Sequence, residues 1–229
     1  MSAGLVSVVV PFHDAGRFLE EAVESVLRQT YRPIELILVD DASTDDGGNL
    51  ARALAARHPD IRLLRMPENA GPAAARNRGL AEAHGEYITF LDADDVMVNG
   101  RLALQADHLA RHPEVDIVLG AEEPIIEADA PRDLLRRRRS RGDGVHYYPM
   151  SMIFRRSALE RVGGFDPSFA VAEDLDWLFR AAAAGLVVGT IEEVLTRHRL
   201  HAGNLSYQTA EIQRSMLRSL RSRLRERRG

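Results

Sequence analysis

The chain has 229 residues, 45% hydrophobic and 28% charged, with a net charge of −4. That length allows one large domain or two small ones, with ample core. Cysteine is absent and all 30 basic residues are arginine, which excludes disulfides, thiolate metal sites and lysine chemistry.

The first half alternates short apolar runs with amphipathic stretches. Leu5–Val10 reads as a buried strand. Phe18, Leu19, Ala22, Val23, Val26 and Leu27 are spaced for one helical face. Ile34–Val39 is a second strand, followed by a helix through Leu50 and Leu54. Ile61–Leu64 is a third strand. Pro72 opens a helix that continues over Ala73–Ala83, and Tyr87–Leu91 is a fourth strand. The second half is less regular. A helix is predicted over Leu102–Leu109 and a strand over Val115–Leu119, then an Arg-rich loop with Arg132, Arg136–Arg139 and Arg141. A strand at Ser151–Phe154 precedes a short helix, Ser157–Val162, ended by Gly163-Gly164. Leu175–Ala184 is a helix ended by Gly185, and Val187–Ile191 and Val194–Leu200 read as two strands.

Strands alternating with helices, and little polar alternation within the strands, indicate an α/β fold. Its sheet is mostly parallel and covered by helices on both faces. In such sheets ligands bind beyond the carboxyl ends of the strands. Polar residues cluster at those ends: Pro11-Phe12-His13-Asp14, then Asp40 to Asp45, then Asn69-Ala70-Gly71-Pro72 with Arg76, then Asp92, Asp94 and Asp95. Three carboxylates within four residues repel unless something cationic sits among them. Oxygen ligands on a rigid strand end suit Mg²⁺ or Mn²⁺, which keep phosphate oxygens as further ligands. A solvated acidic turn or helix cap is the plainer alternative. Neither a GxGxxG fingerprint nor a P-loop is present.

Seven motifs then follow in order: Val10-Pro11-Phe12-His13-Asp14, Gln29-Thr30-Tyr31, Val39 to Asp45, Asn69 to Pro72 with Arg76-Asn77, Leu91-Asp92-Ala93-Asp94-Asp95, Gly163-Gly164-Phe165-Asp166, and Glu173 to Trp177. From Val6 to about Ser206 the set resembles inverting family 2 glycosyltransferases with the glycosyltransferase A fold. The resemblance implies one catalytic domain over residues 1–206, with a nucleotide-binding half to about 95 and an acceptor half after it. It implies metal-dependent transfer of a sugar, with inversion, from a nucleoside diphosphate sugar to an acceptor hydroxyl. A UDP-sugar is the expected donor, and polysaccharide, glycolipid or glycoconjugate synthesis the setting. Mn²⁺ or Mg²⁺ would be held by Asp94, Asp92 and His201, the last from Arg199-Leu200-His201. Pro11, Phe12, His13, Asp14, Asp41, Arg76 and Asp92 would bind the nucleotide. Asp41 would accept from a ring N–H and Arg76 would neutralise phosphate. His13-Asp14 stands where the family usually has Tyr-Asn. An imidazole can still stack on a base, but Asp14 brings like charge near the diphosphate.

The acceptor hydroxyl must lose its proton as it attacks, and a positioned base contributes about 10²–10⁴-fold. By the resemblance that base is Asp174, with Glu173 orienting the acceptor or its loop. Trp177 is the candidate sugar platform, with a core aromatic as the alternative. Two readings from other classes are a sugar nucleotidyltransferase and a non-catalytic sugar-nucleotide-binding protein. The first calls for a Gly-rich basic loop after the first strand, which this chain lacks. The intact carboxylates argue against the second.

Residues 207–229 form a separate amphipathic helix in this reading. Ile212, Met216, Leu217, Leu220 and Leu224 make one face, with seven arginines between Arg214 and Arg228. The stripe suits a helix lying on an anionic membrane, or one packed on the domain or in a homodimer. No apolar run approaches the roughly 20 residues of a membrane span, and Met1-Ser2-Ala3-Gly4 lacks a signal peptide's basic start. The expected location is cytoplasmic, with the inner membrane face as a peripheral site. The arginine clusters lack interleaved aromatics, so no nucleic-acid partner is expected.

Overall fold

A computed structural model describes residues 4–132, 147 and 149–204. The tail at 207–229 and most of the Arg-rich loop lie outside the described residues, and with them the membrane and homodimer expectations.

The first half is β1 (Val6–Phe12), α1 (Leu19–Leu27), β2 (Ile34–Asp40), α2 (Gly47–Arg57), β3 (Ile61–Arg65), α3 (Pro72–Glu82) and β4 (Tyr87–Phe90). β1 lies between β2 and β4, and β2 also pairs with β3, all in parallel. Every residue of β1 is buried, as the unbroken apolar run requires when helices cover both faces. On one face Val8, Val10, Leu36 and Leu38 pack with Leu19, Val23 and Val26 of α1. On the other, Val9, Ile37 and Val39 pack with Ala75 and Leu80 of α3.

Gly79 lets α3 approach this closely. A Cβ at that position would lie 2.4 Å from Cγ1 of Val9 and 3.2 Å from Cγ2 of Val39. Gly79→Ala is therefore expected to destabilise the fold by about 1–3 kcal/mol, because overpacking outweighs the gain in helix propensity. Urea denaturation would read this as a lower midpoint, and an unchanged or raised midpoint would show that α3 can move aside.

The second half adds β5 (Val96–Met97), α4 (Arg101–Arg111), β6 (Ile117–Ile126), a 3₁₀ turn at Pro149–Ser151, β7 (Ile153–Arg155), α5 (Arg156–Val162), α6 (Glu173–Ala183) and β8 (Val188–Leu200). All eight strands form one sheet in the order β3-β2-β1-β4-β7-β6-β8-β5. β7 is antiparallel to β4 and β6, β6 and β8 are parallel, and β5 is antiparallel to β8. The carboxyl ends of β4 and β8 therefore lie at the same edge of the sheet.

Four elements depart from expectation. β1 runs on to Phe12, and β6 runs to Ile126 because its partner strand is long. The two C-terminal strands are one, β8, whose register shifts opposite Gly120, Ala121 and Glu122. Glu192-Glu193 reads as a break in the sequence and is an irregularity inside a continuous strand. β5 was not foreseen, since two residues have no period to read.

Arg101 of α4 is fully buried and ties the two halves behind the strand ends. It donates to the Thr89 and Thr196 hydroxyls at 2.8 and 2.9 Å and to the Phe90 and Met150 carbonyls at 3.3 Å. Burial lowers its pKa to about 10, against the pull of Asp95 and Asp92, so it remains a cation beneath the acidic cluster. No helix among the described residues is long and apolar enough to cross a membrane.

Candidate active site

Two loops meet beyond β1 and β2. The Asp14 carboxylate accepts from the Thr44 and Asp45 amides at 2.7 and 3.1 Å, and its own amide donates to Ser43 Oγ at 3.1 Å. These amide contacts, Thr44 first, hold Asp14 below the usual carboxylate range. Asp45 returns the clamp by accepting from the Gly16 and Gly47 amides. The like-charge oddity of Asp14 thus has a local answer, since its charge is spent on fixing the facing loop. Pro11 and Phe12, expected at the nucleotide, are buried inside β1, with Phe12 in the core. A strand continuing two residues further turns them into scaffold. His13 stays exposed, and its Nδ1 donates to the Asp41 carbonyl at 2.7 Å.

Asp41 is buried, and its two carboxylate oxygens accept from the Ala70 and Gly71 amides at 2.9 and 2.8 Å. It therefore fastens the loop before α3 to the end of β2. A base N–H would have to use a remaining lone pair. Asp14, Ala42 and Ala172 are the only non-glycine residues with positive φ among the described residues, and all three sit in the site loops. Such conformations persist only where surrounding contacts over-determine them.

The three carboxylates after β4 take three directions. Asp92 pairs with Arg76 of α3 at 2.6 Å. The Asp95 carboxylate is buried between His198 Nδ1, at 3.2 Å, and the Arg199 amide, at 2.8 Å. Burial raises the pKa of Asp95. Burial alone would lower His198, but Asp95 beside it prevails and lifts the imidazole to about 9. Asp94 Oδ2 meets His201 Nε2 at 3.0 Å and Asn204 Nδ2 at 3.1 Å. Arg199 Nε donates to the Asp94 carbonyl, and its terminal nitrogens pair with Glu21 and Glu127 at 2.5 Å. The expected repulsion is therefore relieved by protein cations, and crowding alone does not demand a metal.

The fit to a divalent cation follows from this partition. Among the described residues no three His, Cys, Asp or Glu side chains are grouped so as to hold an ion. Asp94 and His201 do meet, which makes a two-ligand half-site of the kind an ion completes with substrate phosphates. His201 Nδ1 accepts from the Gly203 amide at 3.1 Å, so its proton sits on Nε2 facing Asp94. Binding a metal through Nε2 requires that proton and the Gly203 contact to be given up. Asp92, turned to Arg76, is less available than expected.

On the acceptor side, Arg76 is 4% exposed and also pairs with Glu173 in the first turn of α6. Its Nε has no hydrogen-bond partner among the described residues. A phosphate contact by Arg76 would thus be shared with two carboxylates. Glu173 is 5% exposed, and its carboxylate pairs with Arg76. Asp174, next to it, accepts from the Leu175 amide at 2.7 Å. Burial pushes the Asp174 carboxyl up, Arg76 and the Leu175 amide pull it down, and Asp92 adds to the rise. Trp177 is 0% exposed, packs on Phe154 at 4.7 Å and donates from Nε1 to the Gly163 carbonyl. This burial favours the core-aromatic alternative over a sugar platform. The Asp95–His198 pair and Arg199 were missed as site residues. Each acts through a contact more than 100 positions away, which no local spacing announces.

The fold has counterparts in known proteins. The mannosyltransferase PcManGT from Pyrobaculum calidifontis, solved with GDP-Man and Mn²⁺, is similar at 25% identity and a TM-score of 0.75, covering 98% of this chain and 65% of that one. TarS of S. aureus, solved with UDP-GlcNAc, shares the fold at 20% identity and a TM-score of 0.71, over 87% of this chain and 59% of that one. Among curated sequences, the glycosyltransferase GlyG of Streptococcus pneumoniae is 40% identical over 116 residues, 51% of this chain and 38% of the relative. An uncharacterized glycosyltransferase of Haemophilus influenzae is 40% identical over 49% of this chain and 45% of its own length. The chain thus matches less than half the length of these two relatives. A family model described as glycosyl transferase family 2 matches residues 7–163, and by that match the chain belongs to this family.

Proposed function

We propose that the chain transfers a sugar from a nucleoside diphosphate sugar to an acceptor hydroxyl, with inversion and with a divalent cation. The observation that carries this is the continuity of the site. Asp92 pairs with Arg76 two residues before Asp94 and its His201 partner, and Arg76 pairs with Glu173 next to Asp174, a carboxyl that burial makes more basic. Donor-side and acceptor-side chemistry are thereby adjacent. In this reading Asp94 and His201 hold Mn²⁺ or Mg²⁺ against the diphosphate, and the ion supplies Lewis-acid stabilisation of the leaving group. His13 stands exposed beside Asp41 to stack on the base. Asp174 takes the acceptor proton. A UDP-sugar and a GDP-sugar are both supported as donor, since the similar structures above hold one or the other.

A panel of UDP-, GDP- and dTDP-sugars, with and without Mn²⁺, is expected to show one donor whose nucleoside diphosphate is released only with the metal. Chelation should abolish release. Release that survives chelation would remove the cation from the mechanism, and a product with the donor's anomeric configuration would remove Asp174 as an inverting base.

A further inference from the structure

Arg76 stands between two carboxylates that belong to different halves of the sheet. One terminal nitrogen bonds Asp92 at 2.6 Å, just after β4, and the other bonds Glu173 at the start of α6. Arg76 and Glu173 are buried, Asp92 is partly exposed, and the guanidinium also lies 5.9 Å from the Phe165 ring centroid. The N-cap of α6 is Ala172, with φ +65° and no side-chain cap, and the first turn holds Glu173, Asp174 and Asp176. That turn therefore has neither a capping side chain nor a relaxed entry. Trp177, through Phe154 and the Gly163 carbonyl, holds the next turn of the helix, and the ion pair to Arg76 ties Glu173 at its start to α3. Removing one partner of a buried charge pair leaves the other uncompensated, so each contact governs the other.

We propose that Arg76 is a positioning residue that sets the α6 first turn, and with it Asp174, according to the state of Asp92. The inference rests on the reading of Asp174 as base. A guanidinium shared between two carboxylates is redistributed when either one changes charge or partner. A ligand that engages Asp92 on the donor side leaves Arg76 to Glu173 and Asp174, so a filled donor site tightens the turn that carries the base. Donor binding would then precede productive acceptor binding.

The test is a double-mutant cycle read by hydrogen exchange in the ligand-free protein, over amides 173–178. Asp92→Asn is expected to change exchange of this turn by about threefold or more, although Asp92 lies on another element. Arg76→Gln should speed it by about tenfold or more, and the double variant should match Arg76→Gln alone. Additive effects, or no effect of Asp92→Asn on α6, would overturn the proposal. Should Arg76→Gln fail to fold, Glu173→Gln replaces it in the same cycle, read also over amides 88–95. There the coupling must appear in reverse. Where transfer is measurable, Glu173→Gln should lower kcat with donor affinity within about threefold, and a loss confined to donor affinity would overturn the role. Absence of transfer with every donor would refute the proposed function, while the exchange cycle still decides the coupling.

Discussion

Asp174→Asn is expected to keep nucleotide binding and to lower turnover by about two orders of magnitude or more, the loss that follows removal of a general base. Asparagine keeps the shape and still accepts from the Leu175 amide through its carbonyl oxygen. It cannot take a proton. The wild-type pH profile should carry the signature of the same group. Burial raises the Asp174 pKa, and in the proposed role the anion is the active form. As pH falls through that raised value the base becomes protonated, and kcat should drop about tenfold per unit at a pH above the ordinary carboxylate range. In Asp174→Asn this acid limb should vanish. Turnover within a few-fold of wild type would place the base elsewhere.

The second large effect is at Asp94. Asp94→Ala should weaken Mn²⁺-dependent nucleoside diphosphate binding by at least about 100-fold while the fold survives. The side chain is partly exposed, and among the described residues its Oδ2 meets only His201 and Asn204. Asp95→Ala is the instructive contrast. It strips a buried carboxylate from His198 and from the Arg199 amide, and losing one partner of a buried pair costs about 3–5 kcal/mol. Calorimetry with nucleoside diphosphate and Mn²⁺, beside thermal unfolding, separates the two. Equal affinity in wild type and Asp94→Ala would sink the metal assignment. A large loss of stability in Asp94→Ala would show that this residue too is structural.

Much of this was legible in the sequence, for physical reasons. β1, β2 and β4 are apolar runs bounded by turn residues, and their burial on both faces leaves the polar residues at their ends conspicuous; β3, at the sheet edge, is only partly buried. Pro72 at the first position of α3 was readable because only a helix start tolerates a missing N–H there. What was illegible depends on distance along the chain. Nothing near Arg76 announces Glu173, 97 residues away, so an expected phosphate contact is shared with an internal ion pair. Trp177 follows the acid motif, yet it is packed on Phe154 in the core, and period alone could not tell which side of α6 is buried. Asp95 looks like a third metal ligand in sequence, and its buried tie to β8 appears only once β8 is in place.

The strand order also fixes how far the chain must reach at this site. Phe90 closes β4 and Val96 opens β5, with β7, β6 and β8 between them. In a flat sheet, strands about 4.8 Å apart would put those two residues about 19 Å from each other. A fully stretched connection could just bridge that, at about 3.3 Å per residue. Here Asp92 to Asp95 fold into a turn, the Asp95 amide donating to the Asp92 carbonyl at 3.0 Å, which holds that span within about 7 Å. The chain is then too short for a flat sheet, so the far edge has to curl back toward β4. The acidic segment works as a strap of set length. One residue added between Phe90 and Val96 would let the far edge ease outward and carry His198 and His201 away from Asp95 and Asp94, with every carboxylate still in the sequence.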